Sequence, residues 1–201
     1  MAIKSWLNMS KQTRISFIHE NALVETDRVG EGTRIWAFAH VQTGVIIGSN
    51  CNIGDHAFVE TRVIIGNNVT IKNGVSIWEH VHVADNVFIG PNAVLTNDRA
   101  PRSRCADWRP EETWIEEGVS IGANATIVCG IRLGRRSLIG AGAVVTHNVP
   151  PHALVYGNPA KHHGWVCFCA QLLSENDGVS SICENCGRNY HITETGVIEV
   201  P

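Results

Sequence analysis

The sequence predicts an all-β protein: a parallel β-helix of stacked coils with one protruding loop and a small cysteine-rich module towards its C-terminal end. Three observations carry this prediction. Branched aliphatics recur at every sixth residue, a segment rich in Arg, Pro and Trp interrupts them once, and four cysteines cluster after Trp165.

The period comes first. Counting in sixes from position 29 gives Val29, Ile35, Val41, Ile47, Ile53, Val59, Ile65, Ile71, Ile77, Val83, Ile89 and Leu95, and the series resumes at Ile115, Ile121, Ile127, Leu133, Ile139 and Val145. In a chain with 44% hydrophobic residues, eighteen such matches arise by chance less than about once in a million. Six is not the helical period, but it is even, so a strand residue returns to the same face at each repeat. Short strands joined by tight turns follow. A second column, four residues later, holds small or β-branched residues from Thr33, Ala39 and Val45 to Val87 and Ala93. Glycine often follows the aliphatic, as at Gly48, Gly66, Gly90, Gly122 and Gly140, where a sharp backbone turn is expected. Stacked coils of this kind bury each aliphatic against the next coil, and one hexad per side makes a triangular prism. An antiparallel sandwich would instead show variable turn spacing.

The interruption comes next. Leu95 to Ile115 is a step of twenty residues, which is no multiple of six, so residues 96–114 leave the hexad order. Asn97, Asp98, Arg99, Pro101, Arg102, Trp108, Arg109, Pro110 and Trp114 cannot be buried in a narrow prism, and a loop reaching towards a neighbouring prism is expected. Two prolines stiffen it. Arginines, a carboxylate and tryptophans suit an anionic, ring-containing ligand through charge pairing and stacking.

The tail carries Cys167, Cys169, Cys183 and Cys186 in the spacing C-x-C-x13-C-x2-C, a metal signature. Four thiolates close the coordination shell, so a zinc ion there is expected to be structural. "NYHITETGVIEV" reads as two short strands around Thr195 and Gly196, completing a zinc-ribbon-like unit too small to fold unaided. Cys51, Cys105 and Cys129 read as ordinary thiols.

Length and charge set the outer bounds. The 201 residues suit one medium domain with an appendage: an N-terminal extension over 1–16, a β-helix over 17–160 with its loop at 96–114, and a cysteine-rich module over 161–201. A net charge of −3 and a pI near 6.3 give no basic face, so nucleic acid is not an expected partner. No apolar run approaches the roughly eighteen residues of a membrane span, and "MAIKSWLNMSKQTRIS" lacks the apolar centre of a secretory signal. A cytoplasmic setting is expected.

The hexad column resembles that of the left-handed parallel β-helix acyltransferases over residues 17 to about 160. The resemblance implies a left-handed sense, against the usual right-handed rule for parallel crossovers, and a homotrimer with active sites between subunits. "VETRVIIGNNVTIKNGVSIW", "FIGPNAVLTNDRAPRSR", "GANATIVCG", "IGAGAVVT" and "VYGNPAK", in this order, resemble the nucleotide-linked 3-amino-sugar N-acetyltransferases. "DHAFVE" at 55–60 and "TND" at 96–98 are most similar to the dTDP-3-amino-3,6-dideoxyhexose branch, which serves surface glycan assembly. The neighbouring branch acts on UDP-2-acetamido-3-amino-uronates.

The implied reaction is attack of a sugar amine on the thioester of acetyl-CoA. Asparagine cannot be a general base, so at Asn97 the resemblance implies a residue that orients the amine by hydrogen bonding. Asp98 joins it in the expected catalytic set, with His56 as a second candidate base. Glu60 and Glu79 are candidates for the amine or the sugar hydroxyls, and Asn73, Trp78, His80, Arg99 and Arg102 complete the substrate-binding set. His80 and His82 lie two residues apart on one predicted strand and so point the same way. For CoA, Gly122, Ala123, Gly140 and Ala141 offer small residues beside which a pantetheine arm can reach the backbone; simple packing at a turn explains them equally well. Asn158 and Lys161 close the prism, with Lys161 placed for a CoA phosphate. Two other classes stay open on the same prism: a zinc hydratase resembling the γ-type carbonic anhydrases, and a non-catalytic scaffold.

Overall fold

In the computed structural model, which describes residues 15–174, 180–193 and 196–200, the hexads wind into a parallel β-solenoid with three faces. The expected N-terminal extension lies outside the described residues up to residue 14, as does Thr195 of the tail. Strands on each face pair in parallel with partners eighteen residues away, Arg34 beside Asn52 and Ser76 beside Val94, so three hexads close one coil. The first face includes the strands Phe88–Ile89, Ser120–Ile121 and Leu138–Ile139; the second includes Phe58–Val59, Ser76–Ile77 and Val94–Leu95; the third includes Ile64–Ile65, Val81–Val83 and Thr113–Ile115. Among the described residues no helix is long and apolar enough to cross a membrane.

Each strand is short because the chain turns a corner after every hexad. The hexad aliphatic points inward, and Ile35, Ile53, Ile71, Ile89, Ile121 and Ile139 stack along the first face in one continuous buried core. The small column fills the corners. Thr33 is fully buried there without orphaning its hydroxyl, which donates to the Gly48 carbonyl at 2.7 Å and accepts the Cys51 N–H at 3.0 Å.

The glycines after the aliphatics have a different cause from the one expected. Left-handed backbone occurs three residues after the aliphatic, at Asn50, Asn68, Asn86, Asn92 and Asn124, with φ of 56 to 60°, where Asn tolerates it. The glycine one residue after the aliphatic lies instead where adjacent coils approach most closely. A Cβ at Gly122 would stand 2.5 Å from the Ala141 nitrogen, and one at Gly90 2.6 Å from the Ala123 nitrogen.

The interruption adds fourteen residues to a single coil. Val81 pairs with Thr113 and Val94 with Thr126, thirty-two positions on instead of eighteen, and the hexad register resumes without slipping a face. The prism ends in an antiparallel hairpin, Ala153–Gly157 with Ala160–Trp165, whose second strand still belongs to the first face. The boundary expected at 160 therefore falls inside this hairpin. Beyond it, Ser180–Ile182, Asn189–Thr193 and Gly196–Val200 form a separate three-stranded antiparallel sheet.

Candidate active site

The excursion and the corner beneath it border an open, cleft-like cavity of about 600 Å³ lined by Glu60, Trp78, Asn97, Asp98, Arg102 and Trp108, among others. Glu60, Trp78 and Asn97 each follow a strand of the second face, on successive coils at the edge leading to the third. Stacking alone thus brings together residues far apart in sequence. Glu60 is the hub: its Oε2 accepts the backbone N–H of Glu79 at 2.8 Å and the Asn97 Nδ2 at 3.4 Å. With Nδ2 committed, the Asn97 Oδ1 is left as an acceptor. The Glu79 carboxylate is held away from the cavity, 3.8 Å from Arg62 and 3.9 Å from His80.

The loop is tied at its base. The Glu111 N–H donates to the Asn97 carbonyl at 3.2 Å, and the Cys129 N–H to the Thr96 hydroxyl at 3.1 Å. Arg99 spans the two ends, donating from Nε to Glu111 at 3.1 Å and from Nη2 to the Cys129 carbonyl at 2.7 Å. It is a brace and does not line the cavity. Asp98 shares its work: its Oδ1 accepts the Ala100 N–H at 2.8 Å, turning the loop, while the residue also borders the cavity. The free cations that Arg99 does not supply are Arg102 and Arg104, which line the cavity with Ser103 and Cys105 and make no ion pair among the described residues. Trp108 is one of the loop tryptophans expected to meet a ring, whereas Arg104 is a lining residue that the sequence reading does not single out. Arg104 sits in a turn with a φ of 59°, so strand alternation from Arg102 could not have pointed to it.

Several expected members stand elsewhere. His56 occupies a left-handed corner position at the first-to-second edge, its ring stacked on Phe38 at 5.0 Å, and Asn73 at the corresponding corner donates to Asp55 at 3.1 Å. Neither borders the cavity within one chain. His80 and His82 do not point the same way: His80 is a corner residue with φ of 62°, while His82 is on a strand and stacks on Trp114 at 3.9 Å. Among the described residues the group of His, Cys, Asp or Glu side chains that converges as a metal site consists of Cys167, Cys169, Cys183 and Cys186, with no histidine. Burial pushes the Cys51 and Cys129 thiols up, as suits inert packing groups.

Gly122, Ala123, Gly140 and Ala141 lie at the first-to-second edge, one face away from the cavity. Gly140 packs beneath Tyr156, and Lys161 pairs with Tyr156 in the terminal hairpin. A second cavity of about 590 Å³ lies outside the third face among Ile64, His82, Trp114 and Glu116. It is mainly apolar, whereas the loop cavity gathers carboxylates, an amide, arginines and indoles around one volume.

Comparisons with known proteins agree with this architecture. The family model described as "Bacterial transferase hexapeptide (six repeats)" matches residues 28–61 and 62–97, and "Hexapeptide repeat of succinyl-transferase" matches 113–147. The dTDP-3-amino-3,6-dideoxy-alpha-D-galactopyranose 3-N-acetyltransferase of Aneurinibacillus thermoaerophilus is 48% identical over 182 residues, covering 90% of this chain and 94% of the relative. Among solved structures, LpxA of Bacteroides fragilis, a UDP-N-acetylglucosamine acyltransferase, superposes with a TM-score of 0.63 at 20% identity, covering 75% of this chain and 61% of that one. The acetyltransferase domain of PglB from Neisseria gonorrhoeae, solved with acetyl coenzyme A, gives 0.53 at 22% identity, covering 75% and 58%. The two structures bear on the fold alone.

Proposed function

The chain belongs to the hexapeptide-repeat acyltransferases and resembles their nucleotide-linked 3-amino-sugar N-acetyltransferases; on that premise we propose that it moves the acetyl group of acetyl-CoA to the 3-amino group of a dTDP-linked 3-amino-3,6-dideoxyhexose. The observation that carries this reading is the Asn97 amide, pinned by Glu60 at the edge of a cavity that also holds arginines and indoles. Arg102 and Arg104 suit a diphosphate, and Trp78 and Trp108 suit rings.

The site needs orientation more than a strong base. An amine with a pKa near 8 is partly neutral at cellular pH, and the Asn97 Oδ1, left free by Glu60, accepts one of its N–H bonds and aims the nitrogen lone pair. The nitrogen attacks the thioester carbon, the C–N bond forms as the C–S bond breaks, and the proton shed by nitrogen goes to the departing CoA sulfur. The intermediate oxyanion is held by a backbone N–H.

The same reading makes the protein a left-handed prism acting as a homotrimer, in the cytoplasm, for surface glycan assembly. What supports a site shared between copies is the separation of its parts: the amine-side residues lie on the second-to-third edge and the small CoA-side residues on the first-to-second edge, with a whole face between them. One chain cannot bring both edges to one ligand pair, whereas adjacent prisms can. The prism is the catalytic unit, and the tail, with a structural zinc ion on its four cysteines, is an appended module.

The test is acetyl-CoA supplied with a panel of dTDP- and UDP-linked 3-amino and 4-amino sugars, reading thiol release. Release with a dTDP-linked 3-amino sugar is expected. Release only with a UDP-linked uronate would move the chain to the neighbouring branch, and silence across the panel would end the transferase reading.

A further inference from the structure

Acetyl transfer leaves the tail unexplained. A solenoid has no coil beyond its last one, so its terminal edge needs a cap, and this prism ends in a hairpin followed by a sheet of three short strands. Such a sheet has too small a core to hold itself in place. We propose that a zinc ion on Cys167, Cys169, Cys183 and Cys186 latches the tail over the C-terminal end of the prism as its cap; the inference rests on the structural zinc named above.

The donor set fits the ion. Tetrahedral zinc with Zn–S distances of about 2.3 Å sets sulfurs about 3.8 Å apart. Here the Cys167 and Cys186 sulfurs are 3.3 Å apart, those of Cys169 and Cys183 are 3.6 Å apart, and all four lie within 4.8 Å of one another. Outer contacts orient the ligands: the Tyr190 hydroxyl lies 3.1 Å from the Cys167 sulfur and accepts the Phe168 N–H at 2.9 Å, and the Asn185 amide donates to the Cys169 sulfur at 3.4 Å.

The cluster is wired to the prism through the residue between its first two ligands. Phe168 is clasped by two guanidiniums: Arg136, from a coil of the prism, lies 3.7 Å from the ring centre, and Arg188, from the tail, 4.3 Å. Both arginines also reach Glu199. Binding both neighbours of Phe168 to one ion fixes its ring between the arginines, which accounts for the tight C-x-C spacing. A second connection runs through His152, whose N–H at Nδ1 donates to the Val166 carbonyl at 2.9 Å and whose own carbonyl accepts the Val166 N–H at 2.7 Å. Trp165, Cys167, Leu173, Cys183, Tyr190 and Ile192 belong to the same buried cluster as Val149, Ala153 and Val155 of the last coil.

The test uses the full-length protein as purified. Metal analysis is expected to give about one zinc per chain. Removing it with a chelator under reducing conditions should lower the unfolding midpoint by more than about 5 °C and strip hydrogen-exchange protection from Val149–Val155 as well as from the tail. Zinc should restore both and magnesium neither. Phe168→Ala should keep the zinc yet lose the protection at Val149–Val155. Absence of zinc, together with no response to added zinc, would overturn the metal site. Zinc that is bound and removable, with protection of Val149–Val155 unchanged, would overturn the cap while leaving the metal site standing.

Discussion

Asn97 donates its side-chain amide to Glu60 across 3.4 Å, between residues thirty-seven apart in the chain and two coils apart in the prism. The contact decides which end of the amide meets the ligand. Asn97→Ala should reduce kcat on the order of 100-fold, while acetyl-CoA binding, followed by calorimetry, stays measurable. Glu60→Ala frees the amide to rotate and should lower kcat in the same direction, with Glu60→Gln recovering part of it by offering the amide an oxygen. Unchanged turnover in Asn97→Ala would remove the residue from the chemistry.

Arg99 and Arg104 divide the work of the loop. Arg99 is spent on Glu111 and the Cys129 carbonyl, so Arg99→Ala should lower the thermal midpoint and loosen the loop to proteases. Arg102 and Arg104 face the cavity, and Arg102→Ala or Arg104→Asn should raise KM for the nucleotide sugar roughly ten-fold, the scale of one charge-assisted hydrogen bond, with the midpoint held. Asn is chosen because residue 104 has a φ of 59°. The opposite pattern, stability lost at 104 and affinity at 99, would reverse the two assignments.

The fold was legible because its cause is periodic. A buried aliphatic at every sixth position leaves a mark that survives the fourteen-residue insertion, since the inserted loop leaves the register of the coils unchanged. The loop's place in a site was legible from its composition. Its internal division was not: Arg99, Arg102 and Arg104 are the same residue in one short segment, and only closure of the loop onto Cys129 separates brace from lining. The histidines misled for a related reason. Strand alternation assigned His80 and His82 to one face, but the strand Val81–Val83 begins only after His80, which still occupies the left-handed corner before it.

Gly122 separates two explanations of the small residues at the first-to-second edge. Its would-be Cβ stands 2.5 Å from the Ala141 nitrogen and 2.8 Å from the Gly140 carbonyl carbon, both backbone atoms that cannot swing aside. Gly122→Ala should therefore destabilise the protein by roughly 1–3 kcal/mol, read in denaturant unfolding without ligand. Gly142, with open space around it and a φ of 68°, should accept Asn with little change. A Gly122→Ala variant of native stability that has lost CoA affinity would mean that the glycine is kept for the cofactor.

His152 gives the junction of prism and tail a pH dependence. The residue is 8% exposed, and its pKa lies below 6.5 because burial disfavours the charged ring; the hydrogen bond to Val166 opposes the shift, and Arg136, Arg135, Glu199 and Tyr190 are the charged or titratable groups around it. Above pH 6.5 the ring is neutral whether the chain is folded or not, and its contribution to stability is complete. As the pH falls below 6.5 the unfolded chain takes up the proton first, so stability declines until the folded ring also titrates, at no more than about 1.4 kcal/mol per pH unit for one group. Denaturant midpoints should fall between pH 6.5 and 5 in the native protein. In His152→Asn, which keeps a side-chain N–H donor and tolerates the φ of 62°, this component of the slope should vanish. Identical slopes in the two proteins would show that the ring is not held neutral by the fold.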